Sequence, residues 1–132
     1  MQDRPAVTEV LELVREFLLE EVVPALEGPR KFHARVAANL LAVVGREWER
    51  EESSLRAEWT RLRELLGKTG ELPGSRQALR DEVASWTAEL CERIRRGEAD
   101  SGPWGRAVRE HVRETVREKL AIAHPGYDRP PS

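Results

Sequence analysis

Cysteine is nearly absent from this chain. Of 132 residues only Cys91 carries a thiol, so no disulfide can form within it. Cys91 falls in a helical pattern, in step with Thr87 and Ile94, and reads as a small buried hydrophobe rather than a nucleophile. Aromatic residues make up 5% and no alternating run of β-branched residues occurs, which leaves no candidate strand. No stretch approaches the roughly 20 consecutive apolar residues of a membrane span. The first residues, MQDRPAVTEV, lack the basic region and long apolar run of a secretory leader. Neither sign of charge is in excess, because 22 Lys and Arg stand against 24 Asp and Glu. A nucleic-acid partner normally needs a basic field, so this balance argues against one. The expectation is a cytoplasmic protein with no nucleic-acid and no membrane partner.

Lysine and asparagine are also scarce. Three of the basic residues are lysines (Lys31, Lys68 and Lys119), and Asn39 is the one asparagine. Few amides and dense Glu/Arg pairing suit a thermophile or a GC-rich genome, two origins that composition does not separate.

Charged residues make up 35% of the chain, interleaved with apolar ones at helical spacing. Five helical segments can be read. The first runs from about Pro5 to Leu26, with Val7, Val10, Leu11, Val14, Phe17, Leu18, Val22 and Leu26 as its stripe and Glu9, Glu12, Glu16 and Glu20 on its back. Pro24 must kink or thin its last turn. The second, about 30–51, contains FHARVAANLLAVVGREW, whose apolar residues nearly encircle it, so it reads as the central helix. The third runs from about Ser53 to Leu66, capped by Ser53 or Ser54, with Leu55, Trp59, Leu62 and Leu66 in line. The fourth, Ser75 to Arg96, lines up Leu79, Val83, Trp86, Leu90 and Ile94 between a serine cap and Gly97. The fifth runs from Pro103 to about Ala123, ahead of Pro125. Short connections favour antiparallel neighbours, which predicts an all-α, five-helix up-and-down bundle. One bundle domain, 1–127, and a Pro-rich tail, 128–132, account for the length.

Several chemistries find no support. Gly67-Lys68-Thr69 lacks the upstream glycine of a phosphate-binding loop and reads as a helix stop. His33, His111 and His124 form no H-x-x-x-H pair and no Glu-x-x-His, so neither a metal nor a cofactor is expected. No G-x-S-x-G elbow is present, and the serines at helix starts read as caps. The reading therefore leans away from an enzyme.

Polar groups do stand where a plain core helix has none. His33 is in step with Val36, Leu40 and Val44, with Arg35 and Asn39 on one shoulder and Glu47 returning to its side. In the fifth segment His111, Thr115 and Lys119 form a ladder at four-residue spacing beside an apolar face. If the second and fifth segments pack together, His33, Arg35, Asn39, His111 and Lys119 could line a pocket for a carboxylate or phosphate. The competing reading is a set of satisfied structural pairs. Arg106, Arg109, Arg113 and Arg117 form a basic row, largely neutralised by Glu110, Glu114 and Glu118 beside it.

The segments DRPAVTEVLELVREFLLEEVVPALEG, FHARVAAN and VRETVREKLAIAHPGY together resemble an uncharacterised bacterial family of small helical proteins, a domain of unknown function. The F-H-A-R-V-A-x-N pattern, with Phe32, His33, Arg35 and Asn39, is its most specific part, and the chain departs from the family at His124, where Asn is usual. The resemblance implies an all-helical fold. Members are often encoded beside an aminoglycoside-phosphotransferase-like kinase and an acyl-CoA dehydrogenase, which implies an accessory role beside such enzymes and transfers no catalytic residue. The first expectation is thus a non-catalytic protein-interaction bundle that binds a neighbouring protein or a second copy of itself. The alternative is an anion-binding protein or enzyme subunit built on the polar pocket.

Overall fold

A computed structural model of the chain describes residues 5–127, which contain helices and no strand. Helix α1, Val7–Phe17, runs on through a π-helical turn, Leu18–Val22, into a short α-helical end, Val23–Ala25. Helices α2, Gly28–Leu66, α3, Arg76–Arg95, and α4, Gly102–Ala123, follow. The all-α expectation holds, but the count is four helices, not five. The second and third predicted segments are one 39-residue helix. Between Gly45 and Gly67 there is no glycine or proline, so nothing in the backbone stops it. Ser53 and Ser54 sit inside the helix, where serine costs only about 0.5 kcal/mol relative to alanine. The Arg56–Glu52 pair, 2.8 Å apart one turn from each other, bridges that stretch. The Pro-rich tail expected at 128–132 lies outside the described residues.

The chain divides into two compact units, one up to Arg50 and one from Glu51 on. The first unit pairs α1 with the opening half of α2. The Ala6 N–H, ahead of α1, donates to Glu9 Oε2 at 3.4 Å. The π-helical turn stands just ahead of Pro24, whose ring displaces the Glu20 carbonyl and which offers no N–H; the Val23 N–H reaches back five residues to Leu18 instead. Thr8, Leu11 and Arg15 share a groove with Glu49, Gly45 and Leu41, so the two helices run antiparallel. Gly45 faces Leu11 there: a Cβ at that position would stand 3.9 Å from Leu11 Cδ1, an ordinary contact, so the approach does not depend on the glycine. The predicted apolar stripe of α1 splits. Leu11, Leu18 and Val22 are half-buried, whereas Val7, Val10, Val14 and Phe17 are exposed. On α2, Phe32, Val36, Leu40, Val44 and Trp48 are exposed as well. The buried hydrophobic residues of this unit, among those described, are Val23 and Ala38.

The second unit holds the hydrophobic core. Trp59 and Leu62 of α2, Leu79, Val83, Trp86 and Leu90 of α3 and Val108 of α4 form one buried cluster, and Leu62 is fully enclosed. The stripes read from spacing in α3 and the second half of α2 therefore do face inward here, except that Ile94 is exposed; Val112 of α4 is exposed as well. Trp59 stacks on Trp86 with centroids 5.5 Å apart, and its Nε1–H donates to Glu82 at 3.1 Å, so its polar tip is satisfied. The ends of α2 and α3 are made alike. After α2 the Lys68 N–H bonds the Arg63 carbonyl and the Gly67 N–H the Glu64 carbonyl; after α3 the Glu98 and Gly97 N–H groups do the same with Arg93 and Ile94. That pattern needs a left-handed residue, and Gly67 (φ 63°) and Gly97 (φ 86°) supply it. Ser75 caps α3 through a bond from the Ala78 N–H. Arg76 and Arg80 tie the start of α3 to Glu51 and Glu52 on α2. Cys91 of α3 is half-buried and free.

Candidate functional site

Arg61 organises the polar interior of the second unit. It lies on α2 beside the core stripe and reaches across to the ladder on α4. Its Nε–H donates to His111 Nδ1 at 3.3 Å and Nη2 donates to Thr115 Oγ1 at 3.3 Å. Both terminal nitrogens bond the Glu118 carboxylate at 3.2 Å, a two-pronged pair that matches the guanidinium's geometry. Three side chains spaced along one face of α4 are thus gathered by one cation.

Two groups respond to this setting. His111 is buried, and its pKa falls below the ordinary value because burial disfavours the charged ring and the Arg61 guanidinium repels a second positive charge; Glu118 opposes this more weakly. Glu58, one turn before Leu62 on α2, has its pKa raised, chiefly by burial and also by the Glu118 carboxylate, against the lowering pull of Lys119 and Arg61. Burial therefore pushes an acid and a base that both feel the Arg61 charge toward their neutral forms.

A cleft of about 600 Å³ opens beside His111, between the last turns of α2 and the first half of α4. Leu65, Trp104 and Ala107 form its apolar walls, and Glu64, Glu110 and Glu114 stand along it. Trp104 is fixed by its Nε1–H, which donates to the Leu65 carbonyl at 2.8 Å, and by the Arg93 guanidinium lying 4.1 Å from the ring centroid.

His111 and Lys119 thus belong to one electrostatic cluster in the second unit, Lys119 through its action on Glu58. His33, Arg35 and Asn39 belong to the first unit, where all three are exposed on α2; the His33 ring lies 5.9 Å from that of Phe32. Arg61 and Glu58 were not singled out from the sequence. Their only mark is a three-residue spacing on the flank of the Leu55, Trp59, Leu62 stripe, and in a chain with 35% charged residues that mark is common. Half of the basic row of α4 is paired within its own helix, Arg113 with Glu110 at 3.1 Å and Arg117 with Glu114 at 3.4 Å, while Arg109 donates to the Ala99 carbonyl at 3.4 Å. Among the described residues no group of three or more His, Cys, Asp or Glu is placed to hold a metal ion, and no helix is long and apolar enough to cross a membrane.

A sequence-family model described as a domain of unknown function (DUF6285) matches residues 24–127. The chain belongs to the DUF6285 family. The DUF6285 match takes in α2, α3 and α4 whole, and with them the Arg61 cluster and its cleft; it begins at Pro24 and leaves α1 outside. No curated protein and no solved structure matches the chain.

Proposed function

We propose that this DUF6285 protein is a non-catalytic accessory protein of the cytoplasm that works through protein contact, and that the first unit pairs with the same unit of a second copy. The observation that carries this reading is the exposed set Val7, Val10, Val14 and Phe17 on α1. Their spacing of three, four and three residues is that of a coiled-coil seam, which two copies can satisfy mutually about a two-fold axis. A hairpin that buries Val23 and Ala38 has little core of its own. With Leu13 and the exposed Phe32, Val36, Leu40 and Val44 of α2, these side chains offer on the order of 800 Å² of apolar surface, the share one partner brings to a standard interface. Two such hairpins together have the makings of a four-helix bundle.

Size-exclusion chromatography with light scattering on the full chain tests the proposal. The expected mass is twice 15.1 kDa, and Val14→Glu is expected to give a monomer of unchanged helicity. A wild-type monomer overturns self-association. So does a Val14→Glu chain that keeps the wild-type mass. An accessory role beside kinase-like and acyl-CoA dehydrogenase enzymes, which the family resemblance implies, makes a competing outcome concrete: a monomer that co-purifies with such a protein has that protein, not a second copy, on the seam.

A further inference from the structure

The cleft beside Trp104 carries an inference independent of self-association. His111 is 6% exposed, yet it lines that cleft. Its Nδ1 accepts from Arg61 Nε, and a guanidinium has donors only. The Nδ1 lone pair is therefore in use, and the neutral ring carries its proton on Nε2. Among the described residues no side chain or backbone group bonds Nε2, while no buried side-chain nitrogen or oxygen is left without a partner. Nε2–H is thus not sealed in the core, and the open space that His111 lines is the cleft, to which it can donate.

The rest of the cleft completes a recognition pattern. Its walls are apolar and one is an indole held in place at both its nitrogen and its ring. Its charge is negative on balance: Glu64, Glu110 and Glu114 line it, whereas the cation in its wall, Arg61, is already committed to Glu118. Arg113 and Arg117 offset Glu110 and Glu114 only from exposed positions. We propose that this cleft binds a small organic amine: an apolar body against Trp104 and Leu65, an oxygen acceptor on His111 Nε2–H, and the ammonium group among the three carboxylates. A free carboxylate or phosphate, the ligand class expected of His33, Arg35, Asn39, His111 and Lys119 together, is disfavoured in this cleft by those same carboxylates.

Tyramine, which has an aryl body, a hydroxyl and a primary ammonium, is a suitable probe, with 4-hydroxyphenylacetate as its anionic counterpart. Both are titrated into the full-length, ¹⁵N-labelled chain while the Trp104 indole N–H resonance is followed. Tyramine is expected to give a saturable shift at that resonance, and the carboxylate at least about tenfold weaker binding. Glu110→Gln with Glu114→Gln, which keeps the size and shape of both side chains, is expected to weaken tyramine about tenfold at unchanged melting temperature. Loss of the indole shift in His111→Gln, with the fold retained, supports the donor role; if that variant does not fold, the glutamate pair still decides. The proposal is overturned if tyramine leaves the Trp104 resonance unmoved up to about 10 mM, if the carboxylate binds as well, or if the double glutamine variant binds tyramine like the wild type.

Discussion

Burial lowers the His111 pKa and raises that of Glu58, so the same cluster has two opposite pH dependences. His111 has a folded pKa below the 6.5 of an unperturbed ring. Its contribution to stability is full above about 6.5 and is lost as pH falls through the folded value, because the unfolded chain takes up the proton first. Glu58 has a folded pKa above the ordinary 4.5. Its contribution is full below about 4.5 and is lost as pH rises through the folded value. Glu58→Gln is therefore expected to raise the melting temperature at pH 7 and to lose that advantage near pH 4. Thermal melts at the two pH values check this, and an equal or lower melting temperature at pH 7 contradicts it. Little of this cluster was legible beforehand. The ladder of His111, Thr115 and Lys119 stands out on spacing, because polar residues at four-residue steps beside an apolar face are uncommon. Arg61 does not, since an arginine next to an apolar stripe is ordinary and only its reach across to α4 distinguishes it.

Helices, as elements, follow from periodicity and their stops, and the errors follow from the same rules. Gly67 and Gly97 end helices where left-handed residues are needed, and Ser75 starts one with a measurable cap. Ser53 and Ser54 look identical to a cap in sequence, because a serine ahead of an apolar run has the same letters whether the chain turns there or not. The deciding feature is the absence of any glycine or proline around them. Replacing both serines by alanine tests the continuity of α2. Inside a helix the change is neutral or stabilising by up to about 0.5 kcal/mol per residue, whereas loss of a working cap costs about 1 kcal/mol. Urea unfolding of the double variant distinguishes the two signs. The stripes of α3 and of the second half of α2 were legible for a simple reason: each has one buried face, and one face is what a 3.6-residue period reports. The residues from Phe32 to Trp48 misled because apolar residues on several sides of a helix say only that cover is wanted, not that the same chain provides it.

For the whole molecule, the contrast between its two units is the central fact. The unit from Glu51 on encloses seven core residues with a stacked tryptophan pair, whereas the unit up to Arg50 leaves most of its large apolar side chains in solvent. Isolated exposed hydrophobes need no explanation, and it is the heptad spacing of those on α1 that the proposed self-association rests on. Charge points to no particular partner, because Arg113 and Arg117 of α4 are paired with Glu110 and Glu114 of the same helix. What favours a second copy is the heptad spacing of Val7, Val10, Val14 and Phe17, which is complementary to itself. The most direct measurement is an isotope-filtered nuclear Overhauser experiment on an equimolar mixture of ¹³C-labelled and unlabelled chain. Cross-peaks between labelled Val10 or Val14 methyls and the unlabelled Phe17 ring are the predicted result, since only contact between two copies can produce them. A spectrum in which those methyls show contacts within their own chain alone contradicts the account.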